Sequence, residues 1–113
     1  MLNEDKIDPI VINLSAMRGN ELNEDFIRVF GNSVRMFLGA LLDQDPIKMF
    51  KGIVKGTPTE VNSFARTIGS EKRYIDVARK YGLDDPRTAS NKAKLAKSIA
   101  SFERETGIKW PFK

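Results

Sequence analysis

The sequence predicts a predominantly all-α protein, a small bundle of about four helices preceded by an extended arm or short strand. Three observations carry this. Apolar residues recur at helical spacing through Phe26, Phe30, Val34, Phe37, Leu38 and Leu41. Helix starts are written in capping chemistry at Thr57-Pro58-Thr59-Glu60 and at Asp85-Pro86. The β-branched runs Ile10–Leu14 and Gly52–Gly56 are short, and the second is flanked by glycines. With 113 residues and 41% hydrophobic content, the chain reads as a single domain over 1–113 with one modest core.

Residues 1–20 form the arm, in which Pro9 precedes Ile10-Val11-Ile12-Asn13-Leu14. With no clear strand to pair with inside the chain, this run either packs irregularly on helices or pairs with another copy. The helix over 23–42 starts at Asn23 as N-cap, with Glu24 and Asp25 where the helix dipole favours negative charge and Leu22 stapled to Ile27. Ile27, Val29, Met36 and Leu42 widen its apolar stripe so far that it should be central, covered by later helices or by a second subunit. Gly31 and Gly39 suggest close approach by a neighbour.

Asp45-Pro46 opens at most a short helix ending by Gly52. The stretch 57–106 reads as three basic helices. The first runs from the Thr57 capping box to Gly69, with Val61, Phe64, Ala65 and Ile68 inward, and the second starts at Ser70-Glu71 and stops at Gly82. The third starts at Asp85, puts Ala89, Ala93, Ala96, Ile99, Ala100 and Phe102 inward, and closes at Gly107 with Ile108 packed beyond it. In the aromatic tail 107–113, Trp110 and Phe112 either fold back on the helices or dock into a partner.

Composition narrows the chemistry. There is no histidine and no cysteine, which removes the commonest general base, the thiolate nucleophile and the usual zinc and haem ligands. Paired acids such as Glu24-Asp25 and Asp84-Asp85 sit at predicted helix starts, where capping explains them better than catalysis. Asp43-Gln44-Asp45 lacks the glycine and closing glutamate of a calcium loop, and Gly52–Thr57 lacks half of a phosphate-binding loop. The reading is a non-enzymatic module with no metal and no cofactor. Absence of cysteine fits a reducing, cytoplasmic setting, and the longest mostly apolar stretch, Met36 to Leu42, is far short of the roughly 18 residues of a membrane span, so neither export nor membrane insertion is expected.

Charge is segregated: residues 1–50 carry a net −3 and residues 51–113 a net +7. A basic half invites a nucleic-acid partner, although lysine and arginine also merely solubilise helix faces. Ala65, Gly69 and Ile75 meet the spacing of a helix-turn-helix, with Ser70 departing from it, and a second frame begins at Val77–Leu83. The candidate nucleic-acid contacts are Lys72, Arg73, Arg79, Lys80, Arg87, Lys92, Lys94 and Lys97. The rival reading is an assembly module, a homodimer or other homo-oligomer joined through Phe26, Phe30, Phe37 and Leu41.

Overall fold

The computed structural model describes residues 10–20, 22–43 and 52–112. In chain order these form strand β1 (Ile10–Asn13), helix α1 (Leu14–Met17), helix α2 (Glu24–Asp43), strand β2 (Gly52–Lys55), helix α3 (Pro58–Tyr81) and helix α4 (Pro86–Thr106). The predominantly helical class is as expected, with four described helices. Their distribution differs: α1 lies in the expected arm, the short helix expected at 46–50 lies outside the described residues, and 57–106 holds two helices in place of three.

The fused helix is α3, which runs without a break through Gly69 and Ser70. A glycine inside a helix costs about 1 kcal/mol relative to alanine. Here it is outweighed, because the flank spanning Ser63, Phe64, Thr67, Ile68 and Glu71 is buried, and Ser70 Oγ lies 3.0 Å from Ser98 Oγ of α4. The capping box forms as expected: Glu60 N donates to Thr57 Oγ1 at 3.2 Å, and Thr57 N donates back to Glu60 Oε1 at 2.9 Å. At the far end Gly82 takes φ 89° and ends the helix.

Asp85 caps α4 through Arg87 N at 2.8 Å, and Gly107 ends it in the left-handed conformation at φ 74°. The two long helices lie side by side and antiparallel. Thr88 Oγ1 donates to Gly82 O at the turn, Thr67 Oγ1 donates to Ser98 O midway, and Arg66 meets Glu105 near the other end. The inward face of α4 is Thr88, Leu95, Ile99 and Phe102, whereas Ala89, Ala93, Ala96 and Ala100 are exposed and not inward as expected. Alanine is small enough to be indifferent to either face, so the larger side chains decide the helix's rotation.

The tail folds back. Ile108 and Trp110 are buried, and the Trp110 indole meets Phe102 edge-on at 5.1 Å and Phe64 at 5.8 Å. Phe64 in turn meets Phe37 of α2 edge-on at 5.7 Å, so one aromatic chain links α2, α3, the tail and α4.

The β-branched arm finds its partner inside the chain. β1 pairs with β2 in parallel, Ile10 opposite Gly52 through Asn13 opposite Lys55, with α1 and α2 in the crossover that a parallel pair requires. An ion pair locks this unit to α3: Arg18 Nε and Nη2 donate to Glu60 Oε2 and Oε1 at 3.0 and 2.9 Å. Gly56 is the glycine that close packing demands, since a Cβ there would lie 2.9 Å from Glu60 Oε1 and 3.2 Å from the Leu14 Cβ. Gly39 has nothing within 4 Å, and at Gly31 a Cβ would make only ordinary contact with Pro111, so neither marks the close approach expected of it.

Helix α2 is peripheral and not central. Asn23 caps it as expected, its Oδ1 accepting from Asp25 N at 3.0 Å, but Leu22 is 93% exposed and makes no staple. Phe30, Val34 and Leu38 face the core, while Phe26, Val29 and Met36 remain 39, 62 and 60% exposed. No described helix is long and apolar enough to cross a membrane.

Candidate functional site

The continuous α3 removes the helix-turn-helix built on Gly69, because no turn occurs there. The second frame also fails. Gly82 does end a helix, but α4 returns along α3 over its whole length in an αα-hairpin, so no separate recognition helix stands away from its partner. Thr88, in the turn region of that frame, is buried with its hydroxyl donating to Gly82 O at 2.6 Å.

The basic residues themselves separate into groups. Arg66, Arg73 and Lys80 recur every seven residues of α3, two helical turns apart, and so share one flank to within about 20° per repeat. On α4, Arg87 and Lys94 are seven apart, and Glu105 stands five full turns beyond Arg87 on the same flank. Because Arg66 Nη1 reaches Glu105 Oε1 at 3.5 Å, the two flanks adjoin, and the hairpin carries one basic ridge along its seam. From Arg66 to Lys80 the ridge spans about 21 Å at 1.5 Å per residue.

Its turn end is held by local contacts. The Arg87 guanidinium lies 3.4 Å from the centre of the Tyr81 ring and donates twice to Asp85, both at 3.0 Å. These bonds push the Arg87 pKa up and hold the Asp85 carboxyl below its usual range. Arg73, Lys80 and Lys94 have no ion-pair partner among the described residues. The remaining candidates lie elsewhere. Lys72 is held by Asp76 at 2.7 Å, Lys72 and Arg79 stand on the far flank of α3, Lys97 sits on the back of α4, and Lys92 borders a trough on the other side of the hairpin.

That trough has a volume of about 600 Å³, a size typical of small-molecule sites. Leu95, Ala96, Ile99 and Ala100 of α4 floor it, and Phe112 of the tail walls it. At one end Glu71 and Glu103 are brought together by Trp110, whose Nε1 donates to Glu71 Oε1 at 3.0 Å and whose backbone N donates to Glu103 Oε2 at 2.9 Å. Glu71 is only 6% exposed, and burial pushes its carboxyl pKa up against the opposing pull of the indole N–H. By sequence alone Glu71 reads as a helix-start residue. The signal that finds it is the stripe Phe64, Ile68, Glu71, Ile75, in which an acid occupies the buried phase of an apolar face.

Of the residues expected to join subunits, only Phe26 is available. Phe30 is buried, Phe37 packs on Phe64, and Leu41 lies partly buried against the core, because the widest part of the α2 stripe is consumed by β1, α3 and the aromatic chain. Among the described residues no group of three or more carboxylates could hold a metal ion. Comparison with models of known protein families, with curated proteins and with solved structures finds no match in any of the three.

Proposed function

We propose that the protein is a non-enzymatic helical module that binds nucleic acid through the ridge on the α3/α4 hairpin. The observation that carries this reading is the alignment of Arg66, Arg73, Lys80, Arg87 and Lys94 along one seam, three of them without an ion-pair partner among the described residues. A straight row of cations displaces counterions from a phosphate backbone without reading bases, so the expected binding is nonspecific or shape-dependent. With Arg73, Lys80 and Lys94 as the contacts, log K should fall against log salt with a slope of about −2.7, at about −0.9 per phosphate on a duplex.

The test is fluorescence anisotropy with labelled mixed-sequence duplex and single strands across a salt series. Replacing Arg73 and Lys80 by glutamine should flatten the duplex slope by about two units, whereas the same change at Lys72 and Arg79, on the other flank, should leave it unaltered. Absence of binding at low salt, or equal loss from both pairs, overturns the proposal.

A second reading, assembly into a homo-oligomer, is favoured by one observation of its own. Phe26, Val29 and Met36 form an exposed apolar row on α2, extended by Leu22 just before the helix, and it adjoins a smaller groove lined by Val11, Ala16 and Met17. Light scattering at high micromolar concentration decides it. A dimer that Val29→Lys dissociates supports assembly, and a clean monomer removes it.

A further inference from the structure

The trough on the opposite side of the hairpin from the ridge is not used by either reading. Its floor is aliphatic and its volume suits a small molecule, which by itself names no ligand. Glu71 does. Its Oε1 accepts from the Trp110 indole, while its second oxygen has no hydrogen-bond partner among the described residues and yet is not sealed from solvent, since no buried side-chain oxygen there is left unpartnered. Glu71 lines the trough, so the trough is the cavity from which a ligand can reach that carboxylate. A carboxylate so deeply buried, with one neutral donor and, among the described residues, no lysine or arginine paired with it, lacks the compensation that buried charges ordinarily have.

Lys92 offers the opposite charge at the other end of the trough, eleven residues along α4 from Glu103 and so about 16 Å away. The two ends are not equivalent. Lys92 is exposed and already solvated, so pairing it with an anion releases little, whereas pairing Glu71 with a cation relieves a desolvated charge. We infer that the trough binds a small apolar molecule carrying a protonated amine, with the ammonium against Glu71 and the hydrocarbon along Leu95, Ala96 and Ile99. The indole that orients Glu71 is the protein's single tryptophan, so its fluorescence reports directly on the occupied end.

The experiment titrates the full chain with hexylamine, hexanol and hexanoate while reading Trp110 emission. Hexylamine should give a saturable change at a concentration about tenfold below that needed for hexanol, as expected of one charge-assisted hydrogen bond, and hexanoate should be weaker still. In Glu71→Gln the preference for hexylamine over hexanol should vanish while circular dichroism shows an unchanged fold. Should that variant not fold, Ala100→Phe fills the trough from an exposed helical position and should abolish the response. No saturable change with hexylamine, equal or tighter response to hexanol or hexanoate, or an unaltered response in either folded variant overturns the inference. Nucleic-acid binding by the ridge stands or falls separately, because none of its residues lines the trough.

Discussion

Helix α3 buries a flank of mixed chemistry, Glu60, Ser63, Phe64, Thr67, Ile68 and Glu71, and each polar side chain on it has at least one hydrogen-bond partner. Helix α2 buries only Phe30, Val34 and Leu38 and leaves Phe26, Val29 and Met36 to solvent. Sequence hydrophobicity ranks the two the other way round, with α2 the more apolar helix and the obvious centre. What places α3 at the centre is that it is enclosed on every buried side, by α4, by the aromatic tail and by Arg18. Apolar content states how much surface a helix could bury, and neighbours decide how much it does.

The contrast can be broken most severely at Trp110. Removing an indole packed between Phe64, Phe102 and Phe112 should cost about 4 kcal/mol in Trp110→Ala, a large share of the stability of a domain this size, read as a drop in urea midpoint. Next is the tie between the N-terminal unit and α3. Glu60→Ala removes the acceptor of Arg18 and of Thr57 N and should cost about 2 kcal/mol, less than a fully buried pair because Arg18 remains half exposed. A preserved midpoint in this variant would mean the two regions are not joined through it.

Acid separates the two buried glutamates. The hydrogen bonds from Arg18 hold Glu60 down to about 2 in the folded state against 4.5 ordinarily. Its stabilisation is therefore complete above about 4.5 and lost as pH falls toward 2. Glu71 is shifted upward, so the folded form keeps its proton to higher pH than the unfolded chain, and stability falls as pH rises from 4.5 through the folded-state value. Glu71→Gln, which keeps an oxygen for the Trp110 N–H, should then be neutral or stabilising by up to about 1 kcal/mol at pH 7. A large loss at pH 7 would show that the charge itself is needed. The smallest effect belongs to α2. In a monomer Met36→Glu should change stability by no more than about 0.5 kcal/mol, and a greater loss that depends on protein concentration would reveal a covered face.

Features that depend on a few neighbouring residues were readable in advance. The capping box at Thr57 and Glu60, the N-caps Asn23 and Asp85, and the glycine stops at 82 and 107 rest on bonds within one turn of chain. Gly69 ends no helix because its local cost is outweighed by packing on α4, and the alanines of α4 do not mark its inward face because they carry too little surface to choose a side. The pairing of β1 with β2 joins residues about forty positions apart, which no local pattern encodes. The basic ridge was partly visible as a list of cations, but grouping them needed the antiparallel alignment of two helices. The trough depends on where the tail lies, since Phe112 forms one of its walls, and no local pattern encodes that position.

The parallel crossover also sets an order of events. The hairpin joins α3 and α4 across a turn of a few residues, so its amides can find their protected state early and by themselves. The β1–β2 ladder and the Arg18–Glu60 clasp must wait until a much longer loop has closed. Native-state hydrogen exchange should accordingly divide the molecule into two cooperative units, with the strand amides opening well below the global free energy and the inward turns of α3 and α4 exchanging only through complete unfolding.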